Sequence, residues 1–174
     1  RWWAGPMSAQ RAVLLLALYL LLAANWPLWL GLARIAQGPG DVFSLGAPLL
    51  GLLASATVAV LGLTAWSRGM RWIWWLLALI AALAQYYMLT YRVVMDPGML
   101  ANVMQTDVRE ARDLLAARVL LSVLLVMALP TWWLARLQIL PAPWWRQLLR
   151  NAGLIALALA LAGATIALGS RSLA

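Results

Sequence analysis

The sequence contains no cysteine and no histidine, and only five of its 174 residues are acidic. Without thiolate or imidazole the chain lacks the usual ligands of a tetrahedral zinc site, and it can form neither a disulfide nor a cysteine nucleophile. Lysine is absent as well, so all thirteen basic residues are arginine. They stand singly or in pairs beside hydrophobic stretches and never form a run. A net charge of +8 spread this way points away from nucleic acid and toward acidic lipid as the counterpart. Charged residues make up 10% of the chain and hydrophobic ones 66%. Soluble domains hold about 45–50% apolar residues, so the composition is that of an integral membrane protein.

Five hydrophobic runs, at 12–32, 45–66, 72–91, 118–136 and 151–168, are each long enough to cross a hydrocarbon core of roughly 30 Å. They predict an all-α membrane protein, a five-helix transmembrane bundle forming a single domain over residues 1–174. The first run is too long for a signal-peptide core and has no small-residue cleavage site, so it is a retained helix. Pro27, with Asn25 and Trp26, kinks or frays its far end, where the freed carbonyls need water or a neighbouring side chain. Residues 34–44 form a short loop marked by Gly38-Pro39-Gly40, 67–71 a tight turn, and 137–150 a linker around Pro141 and Pro143. Small residues in the second run, from Gly46, Gly51 and Ala54 to Ser55, Ala59 and Gly62, permit close helix contact. The Ala, Leu and Gly of the fifth run suit the middle of a bundle or close pairing.

With five spans the loops alternate sides. One side collects Arg1, Arg11, Arg68, Arg71, Arg136, Arg146 and Arg150 with no acid, for +7; the other holds Arg34, Arg92, Arg109, Arg112, Arg118, Arg171 and all five acids, for +1. The arginine-rich side is then cytoplasmic. The N-terminus lies there and the C-terminus outside, which in a bacterial inner membrane means the periplasm. Ten of the twelve tryptophans fall near the cytoplasmic ends of spans and are most simply interfacial anchors; Trp26 and Trp29 lie near the outer end. The third span ends in Gln85, Tyr86, Tyr87, Thr90 and Tyr91, either an aromatic interface belt or a set of polar groups facing the polar stretch beyond it.

That stretch, Asp96 to Leu115, holds four of the five acids. Asp96 can cap a helix whose first residue is Pro97. Such a helix, over about 97–117, has Asn102, Thr106, Glu110 and Asp113 on one face and Leu100, Val103, Met104, Val108, Ala111, Leu114 and Leu115 on the other. It would lie on the membrane surface, apolar side down. Asp107 falls on the apolar face and sits three residues before Glu110, so the helix is either continuous or restarted at Asp107. Spacing alone fits both a solvated loop helix and a site.

Asn102-Val103-Met104-Gln105-Thr106-Asp107, followed by Glu110-Ala111 and Leu114-Leu115, resembles the NVxQTDxxEAxxLL segment of the lipid A phosphoethanolamine transferases, the group that includes the mobile colistin resistance enzymes. The order of five spans carries the resemblance across essentially the whole chain. It implies an inner-membrane domain followed, beyond residue 174, by a periplasmic zinc-dependent catalytic domain. It implies too that phosphoethanolamine moves from phosphatidylethanolamine to lipid A, with polymyxin resistance as the result. Through this resemblance Asn102, Thr106 and Glu110 match residues that help hold the phosphoethanolamine head group. No catalytic residue and no metal ligand is expected in this chain, zinc belongs to the missing half, and the fragment alone is expected to be inactive. A chain that starts at Arg1 and stops just past a hydrophobic run fits that expectation. The competing reading is a non-enzymatic five-span protein, an assembly partner or a small transporter. Transport ordinarily needs ionisable groups or broken helices at mid-membrane, and no charge lies deep in any span.

Overall fold

The computed structural model describes residues 6–36, 38–66, 69–91 and 117–172. They form six helices: α1 (Ala9–Tyr19, continued by one wider π-type turn, Leu20–Ala24), α2 (Trp26–Ile35), α3 (Pro39–Thr64), α4 (Met70–Tyr91), α5 (Ala117–Arg136) and α6 (Trp144–Ser172). α3 to α6 are each long and apolar enough to cross a membrane. α1 and α2 meet the same test only together, as a pair bent by 52°, which makes a fifth span if counted as one.

α1 buries one face against the bundle and turns the other to lipid. Ala9, Ala12, Val13, Leu16, Ala17, Leu20, Leu21 and Ala24 are all buried, at the three- and four-residue spacing of one helix face, while Leu14, Leu15, Leu18 and Leu22 look outward. In lipid these outward leucines are in their proper solvent and need no partner. α1 packs chiefly on α3, its π-type turn packs on α3 and α4, and the long α3 packs most extensively against α6. That contact depends on missing side chains: a Cβ at Gly51 would sit 2.3 Å from Thr165 Cγ2, and one at Gly62 would sit 3.2 Å from Ile155. α6 is therefore a closely paired helix but not a central one, with 11% of its span buried against 28%, 22% and 28% for α3, α4 and α5.

Two helices start earlier than hydropathy suggests. α3 begins at Pro39 behind Gly38, because proline at a first helical position gives up an N–H that has no partner there anyway. α6 begins at Trp144, directly after Pro143, so the linker contracts to 137–143; Arg146 and Arg150 break the apolar run without breaking the helix. The tryptophans also divide. Trp74 is not an interfacial anchor: it is fully buried and its indole N–H donates to Thr64 Oγ1 at 2.9 Å, while Trp75 donates to Thr131 Oγ1 at 2.9 Å.

At the arginine-rich end one amide cluster joins three helices. Asn151 of α6 is fully buried. Its Nδ2 donates to the Ala65 carbonyl at 3.1 Å, and its Oδ1 accepts from Gln10 Nε2 of α1 at 2.7 Å. Gln147 Nε2 donates to the same Ala65 carbonyl at 2.6 Å, so the exposed end of α3 is closed by two amides from α6. Beside it Met7 donates to the Gln138 carbonyl and accepts from Leu140 N–H, at 2.9 and 3.0 Å, which ties the start of α1 to the exit of α5.

Asn151→Ala should lower unfolding stability in detergent by about 1–3 kcal/mol, since it strands a buried amide and half the capping of Ala65; an unchanged melting midpoint would refute the role given to the cluster. Gly51→Ala should cost about 1–3 kcal/mol by overpacking α3 against α6. Gly153→Ala, where the new methyl meets nothing within 4 Å, should cost nothing in the same melt.

Candidate functional site

Chain direction and contacts define two unlike ends. The first carries the starts of α1, α4 and α6 and the ends of α3 and α5, brought together by the Gln10, Asn151, Gln147 and Met7 hydrogen bonds. Arg11, Arg71, Arg136, Arg146 and Arg150 all belong to helix termini at this end, and the sequence places no acid among them. Cavities of about 590 and 290 Å³ open here around the 137–143 linker. Arg136 and Arg146 lie over the rings of Trp132 and Trp145, 4.8 and 4.9 Å from the centroids, which suits cations held at an aromatic membrane boundary. Five of the seven arginines that loop alternation assigns to one side thus lie at one end of the described bundle.

The second end is where the candidate site attaches. α4 leaves the bundle at Tyr91, and α5, which packs against it, enters at Ala117, so both roots of the 92–116 segment stand at this end. Asn102, Thr106 and Glu110, with Asp107 between them, lie in that segment, outside the described residues. The described frame beneath it is unusually rich in polar side chains that point inward.

Two prolines explain that frame. Pro27 has no N–H to direct at the Ala23 carbonyl four residues back, and Gln85 of α4 supplies one, Nε2 donating at 3.0 Å. Around the same bend Asn25 Nδ2 donates to the Leu20 carbonyl at 2.8 Å and Trp29 Nε1 to the Leu21 carbonyl at 2.7 Å. In α5, Pro130 removes the donor for the Val126 carbonyl, and the Tyr19 hydroxyl of α1 donates to it instead. These groups act in a hydrocarbon layer where an unpaired carbonyl costs several kcal/mol. Gln85 in particular is not turned toward the segment beyond α4. It is buried, committed to the bend, and its Oε1 meets no donor among the described residues. Tyr86 and Tyr87 pack edge to face at 5.7 Å, Tyr86 also touching the core, and Thr90 is exposed. The signal for Gln85 and Tyr19 was present in the sequence as proline within a span, which calls for a donor from elsewhere; which helix provides it is a matter of packing.

Among the described residues no three His, Cys, Asp or Glu side chains come together as a metal site. The frame consists of amides, phenols and an indole, and Tyr19, Asn25, Trp29 and Gln85 each donate to a backbone carbonyl.

A family model for the phosphoethanolamine transferases EptA/EptB matches residues 53–174. The phosphatidylethanolamine transferase Mcr-1 of Escherichia coli is 28% identical over 163 residues, covering 92% of this chain and 30% of that protein. The integral membrane protein lipooligosaccharide phosphoethanolamine transferase A (EptA) from Neisseria meningitidis shares the fold, with a TM-score of 0.80 at 18% identity, over 97% of this chain and 32% of its own length. The chain thus spans about a third of the length of these relatives. With well over half of its residues matched by the family model, and that match falling on its membrane helices, the chain belongs to the phosphoethanolamine transferase EptA/EptB family.

Proposed function

We propose that this chain is the membrane domain of an enzyme that transfers phosphoethanolamine from phosphatidylethanolamine to lipid A. In this reading it anchors the enzyme in the bacterial inner membrane and contributes part of the donor's head-group site. A periplasmic, zinc-dependent domain continuing from its C-terminal side supplies the nucleophile and the metal. The observation that carries the reading is family membership through a stretch that includes Asn102, Thr106 and Glu110, on a segment rooted at the polar end of the bundle.

Phosphatidylethanolamine presents an ammonium and a phosphate joined by two carbons. A site for it needs a carboxylate near the amine and neutral donors near the phosphate. Glu110 supplies the first, and the Asn102 amide and Thr106 hydroxyl the second. On a continuous helix the three would span about 12 Å along one line, and a break at Asp107 would gather them around a pocket. The segment and the C-terminus face the periplasm in this proposal, and the arginine-rich end faces the cytoplasm, where acidic lipid and the positive-inside bias favour it.

In the full-length enzyme Glu110→Gln should remove a charge-assisted contact of about 1.5–3 kcal/mol, roughly a 10- to 150-fold loss of lipid modification at normal membrane abundance. Wild-type modification, or a loss that tracks abundance alone, would remove Glu110 from the site. Orientation is open to a separate check, since the chain has no cysteine of its own. Single cysteines at Ser67 and Ala101 should react with an impermeant thiol reagent from opposite faces of the membrane, and labelling of both from the periplasm would overturn the topology.

A further inference from the structure

The α1–α5 pair encloses a groove that neither family membership nor the head-group reading uses. The two helices are tied twice: by Met7 and Gln138 at the arginine-rich end and by Tyr19 and the Val126 carbonyl deeper in the membrane. The ties stand equally far apart on both antiparallel stretches, from Met7 to Tyr19 and from Val126 to Gln138. Leu15 therefore stands level with Pro130, and Arg11 stands within one helical turn of Arg136 along the bundle.

Between the ties lies a pocket of about 360 Å³ lined by apolar groups, among them Leu15, Leu16, Tyr19, Leu129, Pro130 and Trp132. Tyr19 adds its ring and not its hydroxyl, which is spent on Val126. Leu15 and Trp132 are about half exposed, so the pocket opens sideways to lipid and not into the bundle. Its volume lies within the range of small-ligand sites, and its lining is suited to hydrocarbon.

One turn outward from this lining, on both helices, stands an arginine. Arg11 continues the line of Leu15 and Tyr19, and Arg136 continues the line of Trp132, with its guanidinium 4.8 Å above that ring. Both are exposed, and no ion pair forms between either one and the described residues, where the sequence places no acid at this end. Two guanidiniums, each one helical turn beyond an apolar slot and near the ends of α1 and α5, complement a phosphate joined to an acyl chain.

We propose that this groove holds one phospholipid of net negative charge, its acyl chain between α1 and α5 and its phosphate between Arg11 and Arg136, in the leaflet opposite the 92–116 segment. The partner is lipid because the slot faces sideways into the bilayer. It is anionic because two cations with no counter-ion among the described residues stand at the mouth, and a zwitterionic head group would bring its own cation to them.

Purified protein in detergent should be examined by native mass spectrometry after addition of dioleoyl phosphatidylglycerol or dioleoyl phosphatidylcholine. Phosphatidylglycerol should be retained roughly ten-fold or more better, and Arg11→Gln/Arg136→Gln should bring it down to the phosphatidylcholine level. The charge-matched Arg146→Gln/Arg150→Gln should retain it as the wild type does. Leu15→Trp, which fills the slot and leaves every charge in place, should also lose it. Equal loss in both arginine pairs would mean diffuse surface attraction and overturn the site. So would undiminished retention in Leu15→Trp, or equal retention of the two lipids by the wild type.

Discussion

A carbonyl freed inside hydrocarbon must find a donor, and part of this bundle is arranged around the two that proline frees, Ala23 and Val126. Water is not at hand at that depth, so the donor has to be a side chain, and to reach across it must come from a helix fixed alongside. Gln85 on α4 closes the Ala23 carbonyl and thereby fixes α4 against the α1–α2 bend; Tyr19 on α1 closes Val126 and fixes α1 against α5. Asn25 and Trp29 close Leu20 and Leu21 from within the bend itself. α1 with its π-type turn is thus bonded to α4 and to α5 at the points where proline has opened the ladder. Irregularity in the backbone and specificity in the packing have the same cause.

The arginine-rich end solves a related problem with amides. The Ala65 carbonyl at the end of α3 points toward the start of α6, and Gln147 and Asn151 both meet it there. Because Asn151 also accepts from Gln10, the end of α3, the start of α6 and the start of α1 share one set of bonds. The opposite end shows no comparable closure among the described residues. There α4 and α5 part at Tyr91 and Ala117, and the segment between them carries the residues that resemble a head-group site. A firmly closed end and an end given over to a long connection suit a domain that is anchored on one side and works on the other.

Hydropathy was enough to read the apolar runs and their order, because the length and solvation rules for spans act on each run separately. The twenty residues from Asp96 to Leu115 carried the family, since their pattern is specific in a way composition is not. The features that stayed hidden depend on which face of one helix meets another. Trp74 has the same local context as Trp72 and Trp75, yet only it is buried without remainder, its indole bonded from α4 to Thr64 of α3. The composition of α6 allowed a central or a paired helix, and only Thr165 fitting over Gly51 decides for pairing at the periphery. The starts of α3 and α6 were hidden by proline and arginine, which interrupt an apolar run but are tolerated in the first turns of a helix.

Pro130 and Tyr19 are more than neighbours. A residue with an N–H at position 130 would close the Val126 carbonyl by itself and leave the Tyr19 hydroxyl without a task, whereas phenylalanine at 19 leaves that carbonyl bare as long as the proline remains. Position 19 is held as long as the proline remains, so the order of change matters: the proline has to go first. This makes positions 19 and 130 an instance of sign-constrained epistasis between two helices, written into the membrane domain by one missing hydrogen.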